Sequence, residues 1–266
     1  LSDPVLHVED LSISFPGRQV LDRISLDVHS GELLSIVGPS GCGKSTLLNA
    51  FSGLLGSAAA VRGTIRLAPG ARLGYMFQRD ALLPWFSALR NVAIGAELRG
   101  LPKAERNEAA RRLLRLVGLE GFESYYPAQL SGGMRQRVSL ARVLAYDADV
   151  ILLDEPFVAL DAFTRLHLQD QLLTTWRETG KTMVIVTHDP DEALALGTRV
   201  LVLDRNPGRI YEEFELDWPA DRSVEELRKS EDFALQSRKL WASLLAVGAS
   251  ASARDELEPE LEAETR

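Results

Sequence analysis

The stretch GPSGCGKST at 38–46 constrains this chain more than any other part of it. It meets the pattern G-x-x-x-x-G-K-[ST] through Gly38, Gly43, Lys44 and Ser45, between the apolar run ELLSIVG and the segment LLNAFSGLLG. A continuous apolar run reads as a strand buried on both faces, and the segment after the loop as a helix that stops near Gly53 or Gly56. Strand, glycine-rich turn and helix form the setting in which backbone amides curl around phosphate oxygens. Lys44 would neutralise charge on the terminal phosphates, and the Ser45 hydroxyl would ligate Mg²⁺. The alternative, a glycine-rich turn with a surface lysine, gives the flanking strand and helix no role.

The rest of the chain can be read around that unit. Leu11, Ile13 and Phe15 alternate, as do Ile24, Leu26 and Val28, and FPGRQ between them has turn chemistry, so two strands are expected. TIRLA and LGYMFQ are two further short strands. From about Asp80 to Ala145 the signal is helical: Ala110, Leu113, Leu114 and Val117 share a face, and Gly118 suits the C-terminal cap. Strands then return in DVILLDEP, TMVIVTH and VLVLD, with a helix of about fifteen residues between the first two. This order predicts an α/β fold: a P-loop NTPase (RecA-like) core, an N-terminal antiparallel β region, and an α-helical subdomain inserted at about 80–145. The ATPase unit is expected over 1–218. Residues 219–266 are expected to add a helix from about Ser223, with Leu227, Ala234, Trp241 and Leu245 on the face that packs on the core. The acidic end SASARDELEPELEAETR shows no packing pattern and reads as a disordered tail.

Composition closes off several classes. With 266 residues, 45% of them hydrophobic, the chain can build one substantial core or two lobes. A net charge of -8 argues against a nucleic-acid surface. No run of eighteen or more apolar residues is present, so no membrane-spanning helix is expected. The stretch LSDPVLHVED lacks a basic region followed by an apolar run, so no secretory signal is expected. The single cysteine, Cys42, excludes an internal disulfide and fits a reducing compartment.

Other residues carry chemistry in the same sense. VILLDEP ends a buried strand with Asp154 and Glu155, at the end where open α/β sheets bind ligands. One acid can serve Mg²⁺ while the other orients or deprotonates a water beside a γ-phosphate; a solvated loop with two acids is the alternative. In LSGGM, Ser131, Gly132 and Gly133 open a helix and would bare N–H groups to an anion, unless Ser131 is an ordinary helix cap. His188 follows VIVT at the end of another core strand, and Gln78 directly follows LGYMF.

In this order the motifs resemble the nucleotide-binding subunit of ATP-binding cassette transporters, over roughly residues 5–215. The resemblance implies that Phe15 stacks on adenine. It assigns the phosphate cradle to Gly38, Pro39, Ser40, Gly41, Cys42, Gly43, Lys44, Ser45 and Thr46, and the sensing of Mg²⁺ and the attacking water to Gln78. Asp154 and Ser45 would hold Mg²⁺, Glu155 would be the catalytic base, and His188 would meet the γ-phosphate. LSGGM would cap an ATP held by a second subunit, and Asp161 of ALD at 159–161 would cross the interface. Three positions depart from the usual pattern. Phe15 replaces the commoner Tyr, Met134 the commoner Gln, and Val158 a small residue, which bears on the geometry of the subunit interface. Cys42 is read as a small residue in a tight loop, and bound ATP is expected to shield its thiol from labelling.

The phrases LLPW, DEPFVALD, VTHDPDEAL and NPGRI are similar to one branch, the bacterial importers of nitrate, sulfonates and taurine. That resemblance implies ATP and Mg²⁺ as cofactors and a second ATPase subunit, most simply an identical one. It also implies two membrane permease subunits, an extracytoplasmic solute-binding protein, and a place on the cytoplasmic face of the inner membrane. Trp85 beside Pro84 would either fill a partner's pocket or pack inside the helical lobe. The rival readings are the ATPase of an exporter or lipid-transfer system, a repair or translation ATPase with the same cassette, and a P-loop kinase. The last has no use for LSGGM or ALD.

Overall fold

The computed structural model of the chain describes residues 3–263, with side chains described to residue 248. In chain order its elements are β1 (Leu6–Phe15), β2 (Arg18–Val28), β3 (Leu33–Val37), α1 (Lys44–Phe51), β4 (Ala60–Leu67), β5 (Leu73–Met76), α2 (Ala88–Leu98), α3 (Lys103–Leu116), α4 (Gly132–Tyr146), β6 (Val150–Asp154), α5 (Ala162–Thr179), β7 (Thr182–Val186), α6 (Pro190–Leu196), β8 (Arg199–Leu203), β9 (Ile210–Glu215), α7 (Val224–Arg228) and α8 (Glu231–Ala263).

These make two sheets. The N-terminal one is antiparallel, in the order β2-β1-β4, and its first hairpin turns at Pro16 and Gly17. The second runs β5-β6-β7-β3-β8-β9, parallel except for the edge strand β9. Apolar runs without alternation are needed for the central strands because successive residues enter two different cores. Leu34, Ile36, Val184, Val186, Leu201 and Leu203 join Leu47, Leu48 and Phe51 of α1 and the inner face of the N-terminal sheet. Leu33, Val37, Ile151, Leu153, Met183, Ile185, Val200 and Val202 face the helices on the other side.

Residues between β5 and β6 form the inserted helical lobe. Ala110, Leu114 and Val117 are buried there, as their spacing predicts. Buried Asn91 pins the turn before α2: its Oδ1 accepts from Leu83 N at 2.8 Å, and its Nδ2 donates to Leu83 O and Phe86 O at 3.1 and 3.0 Å. Held this way, Trp85 projects outward and is 66% exposed, whereas Phe86 lies under the Arg90 guanidinium.

The C-terminal region departs from expectation. It is not one helix from Ser223. α7 ends at Arg228, and Ser230 starts a new helix by accepting from Phe233 N at 3.1 Å. The break resets the helical phase, so Phe233, Leu240 and Val247 face the core, and Ala234, Trp241 and Leu245 face out. Leu227 alone of the expected face is buried. The acidic segment expected to be disordered continues α8 to Ala263. The last three residues lie outside the described ones. The region is bonded to α6: Ser237 Oγ donates to Asp191 Oδ1 at 2.9 Å, and buried Arg222 donates to Ala195 O and Leu196 O at 3.1 and 2.5 Å. Those carbonyls close a helix C-terminus, where a cation is favoured; burial lowers the guanidinium of Arg222 to about 10.

Candidate active site

Strand register gathers the motifs before any side chain is considered. Ile36 of β3 and Asp154 of β6 both pair with Val186 of β7, and Met76 of β5 pairs with Leu153. The residues that follow these strands therefore leave the sheet along one edge: Gly38, Gln78, Glu155 and His188. The fold places sequence-distant chemistry at the carboxyl ends of parallel strands.

There the phosphate loop lines an open cavity of about 400 Å³ through Ser40, Gly41, Gly43, Lys44, Ser45 and Thr46, joined by Gln78 and Glu155. Gly43 is left-handed (φ 100°) and offers α1 no side-chain cap, so the amides of its first turn are left uncapped beside the cavity. Buried Lys44 donates through Nζ to Gly38 O at 2.7 Å and Pro39 O at 3.2 Å. Among the described residues no carboxylate lies within ion-pair distance of it. A buried cation held by two carbonyls and by the weak acceptor Cys42 Sγ at 3.9 Å suits an anionic ligand.

Ser45 Oγ donates to Asp154 Oδ1 at 3.2 Å, and the Tyr75 hydroxyl reaches Asn49 Oδ1 at 3.1 Å and Asp154 Oδ2 at 3.5 Å. Burial raises the Asp154 carboxyl above the usual range, and the neighbouring Glu155 adds to the effect against the hydrogen bonds of Ser45 and Tyr75. Burial and the Asp154 charge likewise push the Tyr75 phenol up. A carboxylate and a hydroxyl in hydrogen-bond contact fit Mg²⁺ that arrives with nucleotide phosphates. Such an ion needs few protein ligands, and among the described residues no group of three or more His, Cys, Asp and Glu could hold a metal by itself.

Glu155 has a positive φ of 52°, a conformation costly for a residue with a Cβ. Three contacts hold it there. Its N–H donates to Val186 O at 2.9 Å, its carbonyl accepts from Gln136 Nε2 at 2.7 Å, and its Oε2 lies 2.6 Å from His188 Nδ1. His188 remains largely exposed while Glu155 is buried.

Several sequence-derived residues lie elsewhere. Gly38, Pro39 and Cys42 form the loop without lining the cavity. The Cys42 thiol is fully buried in the core beneath, and burial raises its pKa, so it is already shielded whether or not nucleotide binds. Phe15 packs partly buried against the N-terminal core. Its hairpin instead delivers Arg18 and Val20 to the cavity, two residues that sequence reasoning missed. Ser131 and Asp161 stand outside the cavity as helix caps: Ser131 Oγ accepts from Met134 N at 3.2 Å and Asp161 Oδ1 from Thr164 N at 3.0 Å. Their loops touch each other. A Cβ on Gly133 would come within 2.9 Å of Ala159 O, so only glycine allows the approach. Gln136 fastens the contact, since its Oε1 accepts from Ala159 N at 3.1 Å while its Nε2 holds Glu155. A polar residue in the buried stripe of α4, in phase with Leu140 and Val143, was the available signal for it.

The NPGRI turn braces the phosphate loop from behind. Gly208 N donates to Val20 O at 2.8 Å, and a Cβ on Gly208 would fall 2.1 Å from Cys42 O. Because the obstacle is backbone of the phosphate loop, Gly208→Ala is expected to weaken ATP binding about tenfold and to cost about 1–3 kcal/mol of stability. Gly56→Ala, at a position with open space around it, serves as the control. Thermal melts and equilibrium nucleotide titration check this; unaltered ATP affinity in Gly208→Ala would refute the brace.

Behind His188, Glu192 is almost wholly buried on α6 and accepts from Gln169 Nε2 at 3.0 Å. Burial, opposed by the hydrogen bonds of Thr187 and Gln169 and aided by the charges of Asp189 and Glu155, raises its carboxyl from 4.5 to about 7. Between those two values the folded chain keeps a proton that the unfolded chain has lost. This residue's contribution to stability therefore falls as pH rises through that window, by on the order of 3 kcal/mol, and is level on either side. Glu192→Gln should gain on the wild type by about that amount between pH 4 and pH 8 in urea unfolding; parallel curves would refute the assignment.

A larger groove of about 800 Å³ lies at the opposite end of the sheet, lined by residues that include His29, Glu32, Arg199 and Asp217. Arg199 is occupied there by Glu32 and Glu213 at 2.6 and 2.8 Å, which leaves no phosphate-binding geometry.

Comparison with known proteins identifies the family of the chain. The family described as ABC transporter matches residues 21–158. The taurine import ATP-binding protein TauB of Escherichia coli O157:H7 is 46% identical over 220 residues, 80% of this chain and 85% of that protein. An uncharacterised ABC transporter ATP-binding protein of Methanocaldococcus jannaschii is 48% identical over 82% of this chain and 85% of its own length. Among solved structures, a dimeric ATP-binding cassette in a post-hydrolysis state bound to ADP and Pi superposes with a TM-score of 0.73 at 30% identity, covering 80% of this chain and all of that one. The chain thus belongs to the ABC transporter family, as an ATPase cassette.

Proposed function

We propose that this cassette drives a bacterial importer of taurine-type small molecules, sulfonates and nitrate included, and does so as a pair with a second copy. One observation carries the pairing: the exposed loop at Ser131 and Gly132 stands outside the cavity formed by its own phosphate loop. Two anion-binding loops that do not face each other within a chain can share a phosphate only between chains. In that arrangement Ser131, Gly132, Gly133 and the α4 dipole close over the γ-phosphate of the partner's ATP, and Asp161 reaches across. The dimeric cassette relative bound to ADP and Pi supports the pairing. The relatives named for taurine import favour uptake over export.

Within each site Lys44 and the loop amides hold the phosphates, and the half-buried Phe15, at the start of the hairpin that brings Arg18 and Val20 to the cavity, offers its remaining exposed face to adenine. Ser45, Asp154 and Gln78 hold Mg²⁺, which when bound offsets charge on the phosphate oxygens. Glu155 takes a proton from the attacking water, with Gln78 and His188 orienting the reacting groups. With His188 Nδ1 engaged by Glu155, the ring's Nε2 is the atom left for the γ-phosphate. Residues 1–218 act as the ATPase unit, and 219–266 extend it without taking part in the chemistry. Closure of the pair moves two permease subunits at the cytoplasmic face of the inner membrane, and a binding protein delivers solute on the other side. Exposed Trp85 belongs to the permease-facing surface. Among the described residues no helix is long and apolar enough to cross a membrane, consistent with a separate permease.

The test is hydrolysis by the cassette reconstituted in vesicles with its permease subunits. Taurine-loaded binding protein on the side opposite the cassette should raise ATP turnover several-fold. Turnover that ignores the binding protein and follows solute on the cassette side would overturn import.

A further inference from the structure

Inside the chain, the first two turns of α5 join the outward loop at 158–161 to the segment that carries His188. Asp161 caps α5, and residues 161, 165 and 169 repeat on one face of it. Arg165 Nη2 donates to Leu160 O at 3.2 Å, and Arg165 Nη1 lies 3.6 Å from Asp189 Oδ2. One turn further, Gln169 holds Glu192 of α6 at 3.0 Å. Asp189 is the neighbour of His188, and its Oδ1 caps α6 by accepting from Asp191 N and Glu192 N at 3.0 and 3.1 Å. Its own N–H donates to Thr187 Oγ1 at 3.1 Å. Arg165 thus grips a carbonyl of the outward loop with one nitrogen and the base of the histidine segment with another. Its third nitrogen, Nε, is buried without a hydrogen-bond partner.

We propose that Arg165 is a positioning residue that carries the placement of the 158–161 loop to Asp189, and so to His188 beside Glu155 in the same chain. The proposal rests on the reading that this loop meets a second cassette. It gives that contact a route into the chain's own site, separate from any group crossing the interface. A planar fork is what the geometry requires, because two acceptors on different segments must be spanned at once.

The test uses the full chain with Arg165→Ala, Arg165→Lys, Asp189→Asn and the Ala/Asn double variant. Asp189→Asn keeps the oxygen that caps α6. Arg165→Ala is expected to lower kcat about tenfold with KM for ATP within about twofold and an unchanged melting temperature, and Lys to restore only part of the loss. The double variant should be no slower than the worse single one, since the pair acts as a unit. In a Glu155→Gln background, Arg165→Ala should still dimerise with Mg-ATP in light scattering. Additive losses, unchanged kcat, or a loss confined to KM would overturn the role of Arg165. A Glu155→Gln parent that dimerises while its Arg165→Ala form does not would make Arg165 an interface residue instead. A parent that stays monomeric overturns the pairing itself, and this proposal with it.

Discussion

Glu155→Gln is expected to bind ATP as tightly as the wild type, to hydrolyse it about a thousandfold more slowly, and to accumulate as a dimer in Mg-ATP. The amide has the shape of the carboxylate. It can keep the contact with His188 Nδ1, and the backbone bonds to Val186 and Gln136 do not involve the side chain. What it cannot do is accept a proton from water. The positive φ at this position is held by the sheet and by Gln136, so the replacement inherits the same aim. Rapid-quench measurement of phosphate release gives the rate, and light scattering the mass. Turnover within tenfold of wild type would remove Glu155 as the base.

Lys44→Ala is expected to lower ATP affinity about a hundredfold, with turnover lost at ordinary nucleotide concentrations. Lys44 is the buried cation of the phosphate loop, and its bonds to Gly38 O and Pro39 O set the curl of that loop. Removing it takes away both the buried positive charge of the loop and the brace that shapes it. The fold itself should survive, because a buried charge with no carboxylate to pair it gives little net stability. Fluorescent-nucleotide titration alongside a thermal melt separates the two effects; tight binding by the variant would refute the phosphate-loop assignment.

The parts of this site that were legible in the sequence are those where the chemistry needs a residue type at a fixed spacing from a strand end. Lys44, Ser45, Asp154, Glu155 and His188 each follow a buried run, and strand register did the rest. Residues that act through tertiary approach left weaker marks. Gln136, Arg18, Val20 and Gly208 matter because of what lies opposite them, and opposition is not written in local order. The C-terminal face was misread for a local reason. One break at Ser230 shifts the phase of everything after it, so Trp241 and Leu245 point out where an unbroken helix would bury them. Strand β9 and the helical continuation of the acidic segment escaped for want of a periodic apolar signal.

The position of β3 has a consequence for how the protein comes into being. It lies between β7 and β8, residues 182–186 and 199–203, while its own residues are 33–37. A chain emerging from a ribosome displays the whole phosphate-loop sequence early, yet neither strand that pairs with β3 exists until most of the cassette has been made. Contacts this distant in sequence are slow to form and leave apolar strand edges exposed meanwhile. Nucleotide binding is therefore a property of the finished cassette. A fragment that stops short of Leu203 would carry the complete loop sequence and bind no ATP.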